Sequence, residues 1–395
     1  VKKILLTNGR SPITLDFVRN LASLGHEVYV AETESINFCR FSNAVKKSFV
    51  LPSPHENRIG YLEALAKIAL DEKIDLFMPM WEDGFLISNH IEKFPPTCRV
   101  FVGEGALLHT LQCKWSFIKY AEELGFPIPK TKLLRAREDL DSITFPDYAL
   151  KACISRGSGD VYRVRDNTPR PNVFPSTDKP WVAQEWLEGK IFCTYSVCEA
   201  GVVRAHAAYP MDFVKEDAGS YCLSFAAVNH PAILAWTKKF VALTNYSGQI
   251  AFDFIELKDG TLYPIECNPR MTSGITLFTT DDRIDKAFFG KEERLITPKE
   301  GYQRQMLFPM LFFGWQTAYA NKKLKKFFQN FFSSKDLIFN KRDLKPFLVQ
   351  PIFLFKSLKD SYKYKKKIPS AFTHTLDYEP VVNQSYAVEV ENVSR

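Results

Sequence analysis

Short apolar runs and amphipathic stretches alternate through the first hundred residues. Lys3 to Thr7 is apolar and short enough for a buried strand, Ile13 to Leu24 carries apolar positions at helical spacing, and Gly25 suits the left-handed residue that ends such a helix. Glu27 to Ala31, Leu76 to Met78 and Val100 to Val102 read as further strands, with helical stretches around Tyr61–Leu70 and Phe85–Glu92 between them. Strand and helix in alternation predict a small doubly wound α/β domain over residues 1–105. The loop Thr7-Asn8-Gly9-Arg10-Ser11-Pro12 has one glycine where a dinucleotide fingerprint needs three. It is read as the wall of a cleft at the carboxyl end of a parallel strand.

A helical stretch from Ala106 to Leu124 stops at Gly125-Phe126-Pro127-Ile128-Pro129, and the pattern then changes. Tyr148–Ala152, Val161–Val164, Trp181–Trp186, Ile191–Cys198, Val202–Tyr209, Leu223–Val228, Gln249–Leu257 and Leu262–Glu266 all read as extended, with one clear helix at Pro231–Leu243. This predicts an antiparallel α+β domain over residues 106–290.

The sharpest chemical signal lies at the end of that domain. Asp259-Gly260 between two apolar runs predicts a two-residue hairpin, which sets Lys258 opposite Thr261, Ile255 opposite Pro264 and Asp253 opposite Glu266. Pro264, with no N–H to donate, then falls in a non-hydrogen-bonded pair. Asp253 and Glu266 face each other in the closer kind of pair, with Cβ atoms about 4.5 to 5.5 Å apart. Like charges so near repel unless a cation lies between them, and Asn268, two residues on, adds a carbonyl oxygen on the same face. Hard oxygen ligands of this kind suit Mg²⁺, and Arg270 supplies a fixed cation for a phosphate or carboxylate. The plain alternative is a pair of acids pointing into solvent at an exposed edge.

Two further segments are weaker by themselves. In Leu150-Lys151-Ala152-Cys153-Ile154-Ser155-Arg156-Gly157-Ser158-Gly159 a lysine ends a strand and small residues follow, which lets backbone N–H groups approach phosphate oxygens while Lys151 offers a point charge. A Ser/Gly turn is the commoner meaning of such a run. Val182-Ala183-Gln184-Glu185-Trp186-Leu187-Glu188-Gly189 is an apolar strand ending in polar groups, which either accommodates an adenine or is an ordinary strand and turn.

Taken in order, these pieces resemble the ATP-grasp superfamily of ATP-dependent carboxylate–amine ligases, which includes the carbamoyl phosphate synthase large chain and D-alanine–D-alanine ligase. The resemblance covers residues 1 to about 290 and is most specific at Asp253 and Glu266-Cys267-Asn268-Pro269-Arg270. It implies a pre-ATP-grasp domain (1–105), a two-lobed ATP-grasp domain (106–290) and a basic, Phe-rich C-terminal region (291–395). It further implies that Lys114, in Gln112-Cys113-Lys114-Trp115, and Lys151 contact ATP phosphates and that the loop with Ser155, Gly157 and Ser158 closes over them. Gln184, Glu185, Trp186 and Leu187 would hold the adenine, Asp253, Glu266 and Asn268 would bind Mg²⁺, and Arg270, with Lys151, would serve the transferred phosphate. Where the family often has a ribose-binding glutamate, this chain has Lys190, Ile191, Phe192 and Cys193, leaving Glu188 as a substitute. The implied reaction activates a small-molecule carboxylate as an acyl phosphate and joins it to an amine. The alternatives are a nucleotide-binding regulatory protein without ligase activity and a carbamoyl phosphate synthase-like enzyme.

Composition narrows the setting. The chain has 395 residues with 46% hydrophobic and 25% charged side chains, an ordinary globular balance that excludes collagen, low-complexity disorder and a minimal disulfide scaffold. The longest apolar stretch, from Met306 to about Ala320, is broken by Pro309, Gly314, Gln316 and Thr317, so no transmembrane helix is expected. Asn8-Gly9-Arg10 follow the first strand too soon for a cleaved leader. Eight cysteines without a C-x-x-C pair suit a reducing cytoplasm. The net charge of +7 is concentrated after residue 290, where 19 Lys+Arg stand against 10 Asp+Glu. Lysines and phenylalanines interleave at helical spacing in Asn321–Phe332, and a second basic cluster follows at Tyr362–Lys367. Three roles are open to this region: covering the cleft, a homodimer contact, or peripheral contact with an anionic membrane. With no recognition motif beside the charge, nucleic acid is not an expected partner.

Overall fold

The computed structural model describes residues 1–155, 160–166, 168–211, 223–290, 293–320, 322, 324–366 and 368–377. Five strands, β1 (Lys3–Leu6), β2 (Glu27–Glu32), β3 (Val45–Val50), β4 (Leu76–Met78) and β5 (Arg99–Val100), form a parallel sheet in the order β3-β2-β1-β4-β5. Helices α1 (Pro12–Ser23), α2 (Arg58–Asp71) and α3 (Asp83–Ser88) connect them. Ser11 accepts a hydrogen bond from the Ile13 N–H and Pro12 fills the first turn, so α1 starts directly behind the loop that follows β1. β3 escapes the hydrophobic pattern because Lys46, Lys47 and Ser48 occupy an edge strand that needs no continuous apolar run. The strand order reverses between β1 and β4, which opens a crevice outside their carboxyl ends.

The predicted helix Ala106–Leu124 is two helices, α4 (Gly105–Gln112) and α5 (Lys114–Glu123), separated by the extended backbone of Cys113. Two antiparallel sheets follow. One has the order β6 (Thr131–Leu134), β9 (Trp181–Glu185), β7 (Asp147–Ala152), β8 (Val161–Arg165). The other has the order β11 (Val202–Pro210), β10 (Lys190–Glu199), β13 (Gly248–Glu256), β14 (Leu262–Asn268), with α6 (Pro231–Leu243) packed on it through Ile233, Trp236 and Phe240. Trp236 and Phe240 stack with centroids 5.2 Å apart, and both meet Phe252 edge-on.

The hairpin differs from the two-residue expectation. Leu257 N–H donates to Thr261 O and Gly260 N–H to Leu257 O, so the loop is Lys258-Asp259-Gly260. Gly260 takes φ +85°, the left-handed position of a three-residue hairpin loop. The pairs near the turn are therefore shifted by one: Glu256 faces Leu262, Ile255 faces Tyr263, and Pro264 faces Phe254. A bulge at Ile265 then restores the expected register, and Asp253 does face Glu266. Counting alternation from Leu257–Thr261, Pro264 still falls in a non-hydrogen-bonded pair.

After β12 (Ser224–Ala226) and the short α7 (Asp285–Phe288), the chain adds β15 (Gln303–Gln305), antiparallel to β12, and β16 (Lys335–Asp336), parallel to β15. Between and beyond these lie α8 (Leu307–Pro309), a π-helical turn over Met310–Gly314, α9 (Trp315–Ala320), α10 (Leu324–Ser333), α11 (Lys345–Leu348), α12 (Gln350–Tyr364) and α13 (Ile368–Thr373). Phe347–Phe355, ambiguous by periodicity, is helical. This region is tied to the parallel-sheet domain. Arg19 Nε donates to Asp343 Oδ2 at 2.8 Å while its other nitrogens reach the carbonyls of Leu337, Ile338 and Asp343, all buried. Phe353 stacks on Phe38 with centroids 4.0 Å apart.

Candidate active site

The residues singled out by sequence converge where three elements meet: the end of β7, the start of α5, and the β13–β14 hairpin. Lys151, near the end of β7, points across to β9, and its Nζ donates to Gln184 Oε1 at 2.8 Å. Gln184 Nε2 in turn donates to Thr131 Oγ1 on β6 at 3.1 Å. The three strands thus fix one buried cation by a chain of neutral groups. Lys114, the first residue of α5, donates from Nζ to Ser155 Oγ at 3.1 Å and lies 3.6 Å from Glu266 Oε1. The Lys114 N–H is held by the Cys153 carbonyl at 2.9 Å, which ties α5 to the segment entering the Ser155 loop.

Both lysines are almost wholly buried. Burial holds the Lys151 ammonium well below the usual lysine range, down to about 8; Glu266 and Asp253 counteract this and Lys114 adds to it. The opposite shift marks the facing sheet. Burial, and then the Glu266 charge, push the Asp253 carboxyl up to about 7 against the opposing effects of a Cys193 hydrogen bond, Arg270 and Lys151. A raised carboxyl opposite a second carboxylate and a lowered ammonium beside a second lysine describe a site short of counter-ions on both sides. The lysines suit phosphate oxygens, since their direct hydrogen-bond partners are a neutral hydroxyl and an amide. Asp253, Glu266 and Asn268 suit a hard divalent cation by donor type. Among the described residues no group of three or more His, Cys, Asp and Glu is placed to hold a metal ion, and this set has only two acids.

Arg270 sits at the edge of this cluster. Its Nη2 donates to Asn268 Oδ1 at 3.1 Å and its Nη1 to Met271 O at 3.3 Å, while its guanidinium lies 4.3 Å from the Trp81 ring centroid. Its Nε is buried and has no partner among the described residues. Trp81 belongs to the loop after β4, and Gln249 Nε2 donates to Pro79 O in the same loop at 3.2 Å. The carboxylate cluster therefore opens toward the crevice at the carboxyl ends of β1 and β4. That crevice is lined by Asn8, which takes φ +58° and has its Oδ1 buried and unpartnered among the described residues, by Arg10, held by Glu32, and by Asp83. Asp83 accepts from the Tyr61 hydroxyl at 2.9 Å, and burial raises its carboxyl to about 6.

The remaining expected residues are placed less centrally. Glu185 accepts from the Lys130 N–H at 2.7 Å. Trp186 is partly exposed and carries the Arg163 guanidinium 4.1 Å from its ring centroid. Leu187 follows it, half-buried. Glu188, the substitute for a ribose ligand, instead accepts from Arg163 Nη2 at 3.0 Å. A cavity of about 730 Å³ lies beside this connection, lined by Glu188, Gly189, Lys190 and Glu256 to Lys258 with Gly260. Gly189 is needed there, because a Cβ would meet the Glu256 carbonyl at 2.4 Å. Gly157 and Ser158 lie outside the described residues.

Sequence reasoning missed several groups. Thr131 has no motif around it. Asp377 accepts from Trp81 Nε1 at 3.3 Å, and the Phe372 carbonyl accepts from Arg10 Nη1 at 2.9 Å; both reach the crevice from far along the chain. Cys113 and Cys153, forty residues apart, share a thiol hydrogen bond beside Lys114. That bond, with help from the N–H groups of Ser116 and Trp115 and the Ser116 hydroxyl, lowers the Cys113 thiol to about 6 despite burial.

No protein-family model and no curated protein matches the chain. Solved structures do. An L-amino acid ligase from Bacillus licheniformis is similar over 74% of this chain and 76% of its own, with 16% identity and a TM-score of 0.56. A carboxyaminoimidazole ribonucleotide synthase from Aspergillus clavatus, complexed with ATP, covers 76% and 81%, with 15% identity and a TM-score of 0.58. The biotin carboxylase domain of a Hydrogenobacter thermophilus 2-oxoglutarate carboxylase, with MgADP and bicarbonate, covers 76% and 73%, with 15% identity and a TM-score of 0.57. The fold of this chain is the ATP-grasp fold.

Proposed function

With that fold as premise, we propose that the chain is an ATP-dependent ligase that activates a small-molecule carboxylate as an acyl phosphate and joins it to an amine. The observation that carries the reading is the opposition of two buried lysines, Lys114 and Lys151, to the Asp253–Glu266 carboxylate pair, with Lys114 only 3.6 Å from Glu266. In this reading Lys151 and Lys114 bind the phosphates of ATP, and the segment from Ser155 through Gly157 and Ser158 closes over them. Gln184 orients Lys151, and the strand end from Glu185 through Trp186 to Leu187 borders the adenine. Asp253, Glu266 and Asn268 hold Mg²⁺, which when bound spreads the negative charge of the phosphates.

The substrate carboxylate lies in the crevice between Arg270 and the loops that carry Asn8 and Trp81. Its oxygen attacks the γ-phosphorus, the bond to the β-phosphate oxygen breaks, and ADP leaves. Arg270 is a cation fixed by Asn268 and Trp81, positioned to steady the transferred phosphate, while Lys151 balances the charge on the leaving side. The amine then attacks the acyl carbon and inorganic phosphate departs. No side-chain nucleophile is required, and burial of the lysines keeps water from the phosphates. Small molecules are the partners in this scheme, and the cytoplasm is its setting.

The test is phosphate release from Mg-ATP across a panel of carboxylic acids with hydroxylamine present. Release together with a hydroxamate supports the acyl-phosphate route and identifies the acid. A thermal shift with Mg-ATP but no turnover on any acid favours a regulatory nucleotide-binding protein. Turnover with bicarbonate alone favours the carbamoyl phosphate synthase-like alternative.

A further inference from the structure

The helices after residue 306 leave a large apolar surface uncovered, and they do so in register. In the π-turn and α9, Leu311, Trp315 and Tyr319 recur every four residues and all are exposed. In α10, Leu324, Phe328 and Phe332 repeat the same spacing, with Phe332 80% exposed, while Phe327 is buried against Gly314 and Met310. In α12, Phe353 and Ser357 face the protein; Leu348, just before it, and Ile352, Phe355 and Tyr362 fall on the opposite side at 100° per residue, and Phe355 is 73% exposed.

Ring contacts tie the π-turn to the segment that leads into α12. The exposed Phe312 ring stacks on Phe308, Phe308 stacks on Phe347 with centroids 5.6 Å apart, and Phe347 meets the exposed Phe339 edge-on. Apolar side chains exposed in this number on consecutive helices mark an interaction surface. Lys322, Lys325, Lys341, Lys345, Lys359 and Lys363, in or beside the same helices, are exposed as well. A second copy of the chain would set two such cationic faces against each other. An anionic bilayer surface complements both the apolar stripes and the lysines. None of the described helices is long and apolar enough to cross a membrane, so contact is with the surface.

We propose that α9, α10 and α12 form a docking surface for an anionic lipid membrane, on which the chain lies with Trp315, Phe332 and Phe355 inserted at the headgroup boundary. The proposal is independent of the ligase reading.

The test is sedimentation of the full chain with vesicles of phosphatidylcholine alone and with 30% phosphatidylglycerol, a composition chosen as on the order of a cell's anionic lipid content. Binding to the anionic vesicles only, weakening as salt rises from about 0.1 M to 0.5 M, is the expected result. K325Q/K359Q/K363Q should lower that binding by on the order of 100-fold. F332S/F355S should abolish it while keeping the wild-type Tm and circular dichroism. Bromine-labelled lipid should quench wild-type tryptophan fluorescence more than that of W315F, a readout that needs no folding-sensitive variant. Equal sedimentation with both vesicle types, no quenching difference, or a concentration-dependent dimer that buries Trp315 without lipid would each overturn the proposal.

Discussion

The two antiparallel sheets of the ATP-grasp domain are built alike and charged oppositely. The sheet with β7 and β9 presents Lys151 with its ammonium lowered to about 8, whereas the sheet with β13 and β14 presents Asp253 with its carboxyl raised to about 7. Each shift costs folding stability. A lowered lysine disfavours the folded state with its full cost below about 8, and that cost fades as pH rises from there toward the ordinary lysine value of 10.5. A raised aspartate does the reverse: its cost is absent at low pH and grows as pH rises toward about 7. The two sheets therefore carry complementary strain, and an Mg-nucleotide bound between them would offset both costs at once.

The largest effect should come from destroying the acidic side. Glu266→Gln removes one of only two carboxylates and should lower turnover by about 100-fold or more, with Mg-ATP present at saturation. Undiminished turnover would remove the metal role from Glu266. On the basic side, Lys151→Ala should raise the KM for ATP by about 10- to 100-fold, the range for loss of a hydrogen bond to a charged group. An unchanged KM would leave Lys151 as a structural partner of Gln184 alone.

A smaller effect sharpens the comparison in the absence of nucleotide. Asp253→Asn, which removes the buried carboxyl itself, should raise Tm by about 2 to 4 °C for each kcal/mol recovered, more at pH 8 than at pH 5, as read by calorimetry. A larger gain at pH 5 would contradict the raised carboxyl. Smallest is a readout that leaves both sheets intact. Alkylation of Cys113 by iodoacetamide, followed by peptide mass spectrometry, should rise with pH through about 6, well below an ordinary thiol, and Mg-ATP should slow it. A midpoint near that of an ordinary thiol would show that the Cys153 hydrogen bond does not form.

The same comparison shows how much was legible in sequence. The acidic sheet was readable because its chemistry is local: Asp253 and Glu266 flank one hairpin, and strand alternation decides which residues share a face. The turn was misread, since Asp259-Gly260 fits both a two-residue loop and a three-residue loop with Gly260 at positive φ. The bulge at Ile265 then cancelled the error at the pair that matters. The basic side was legible in its lysines but not in what holds them. Thr131, Gln184 and Lys151 come from three strands, and their chain of hydrogen bonds exists only once β9 lies between β6 and β7. Cys113 and Cys153 carry no motif spacing, and the bond by which Glu185 accepts from the Lys130 N–H has no sequence signal either. Most strands from β7 to β14 were legible because extended apolar runs alternate with turn residues, whereas β6, only four residues long, and the edge strand β3, with Lys46, Lys47 and Ser48 in its middle, were missed, and the extended Cys113 divides what reads as one helix into α4 and α5.

The hydrogen bond between Thr33 and Thr375 spans 342 positions of the chain. A ribosome adding about 5 to 20 residues each second needs roughly 17 to 70 s to travel that distance. The parallel sheet is complete only once Val100 is made, and from there to Phe372 the same rate leaves roughly 14 to 54 s in which the rim around Arg10, Ser53 and Trp81 still lacks the partners that Phe372, Thr375 and Asp377 supply. The nascent chain thus passes through a long period in which its first domain is folded but uncapped, and a co-translational chaperone or protease would encounter that open rim before any mature molecule exists.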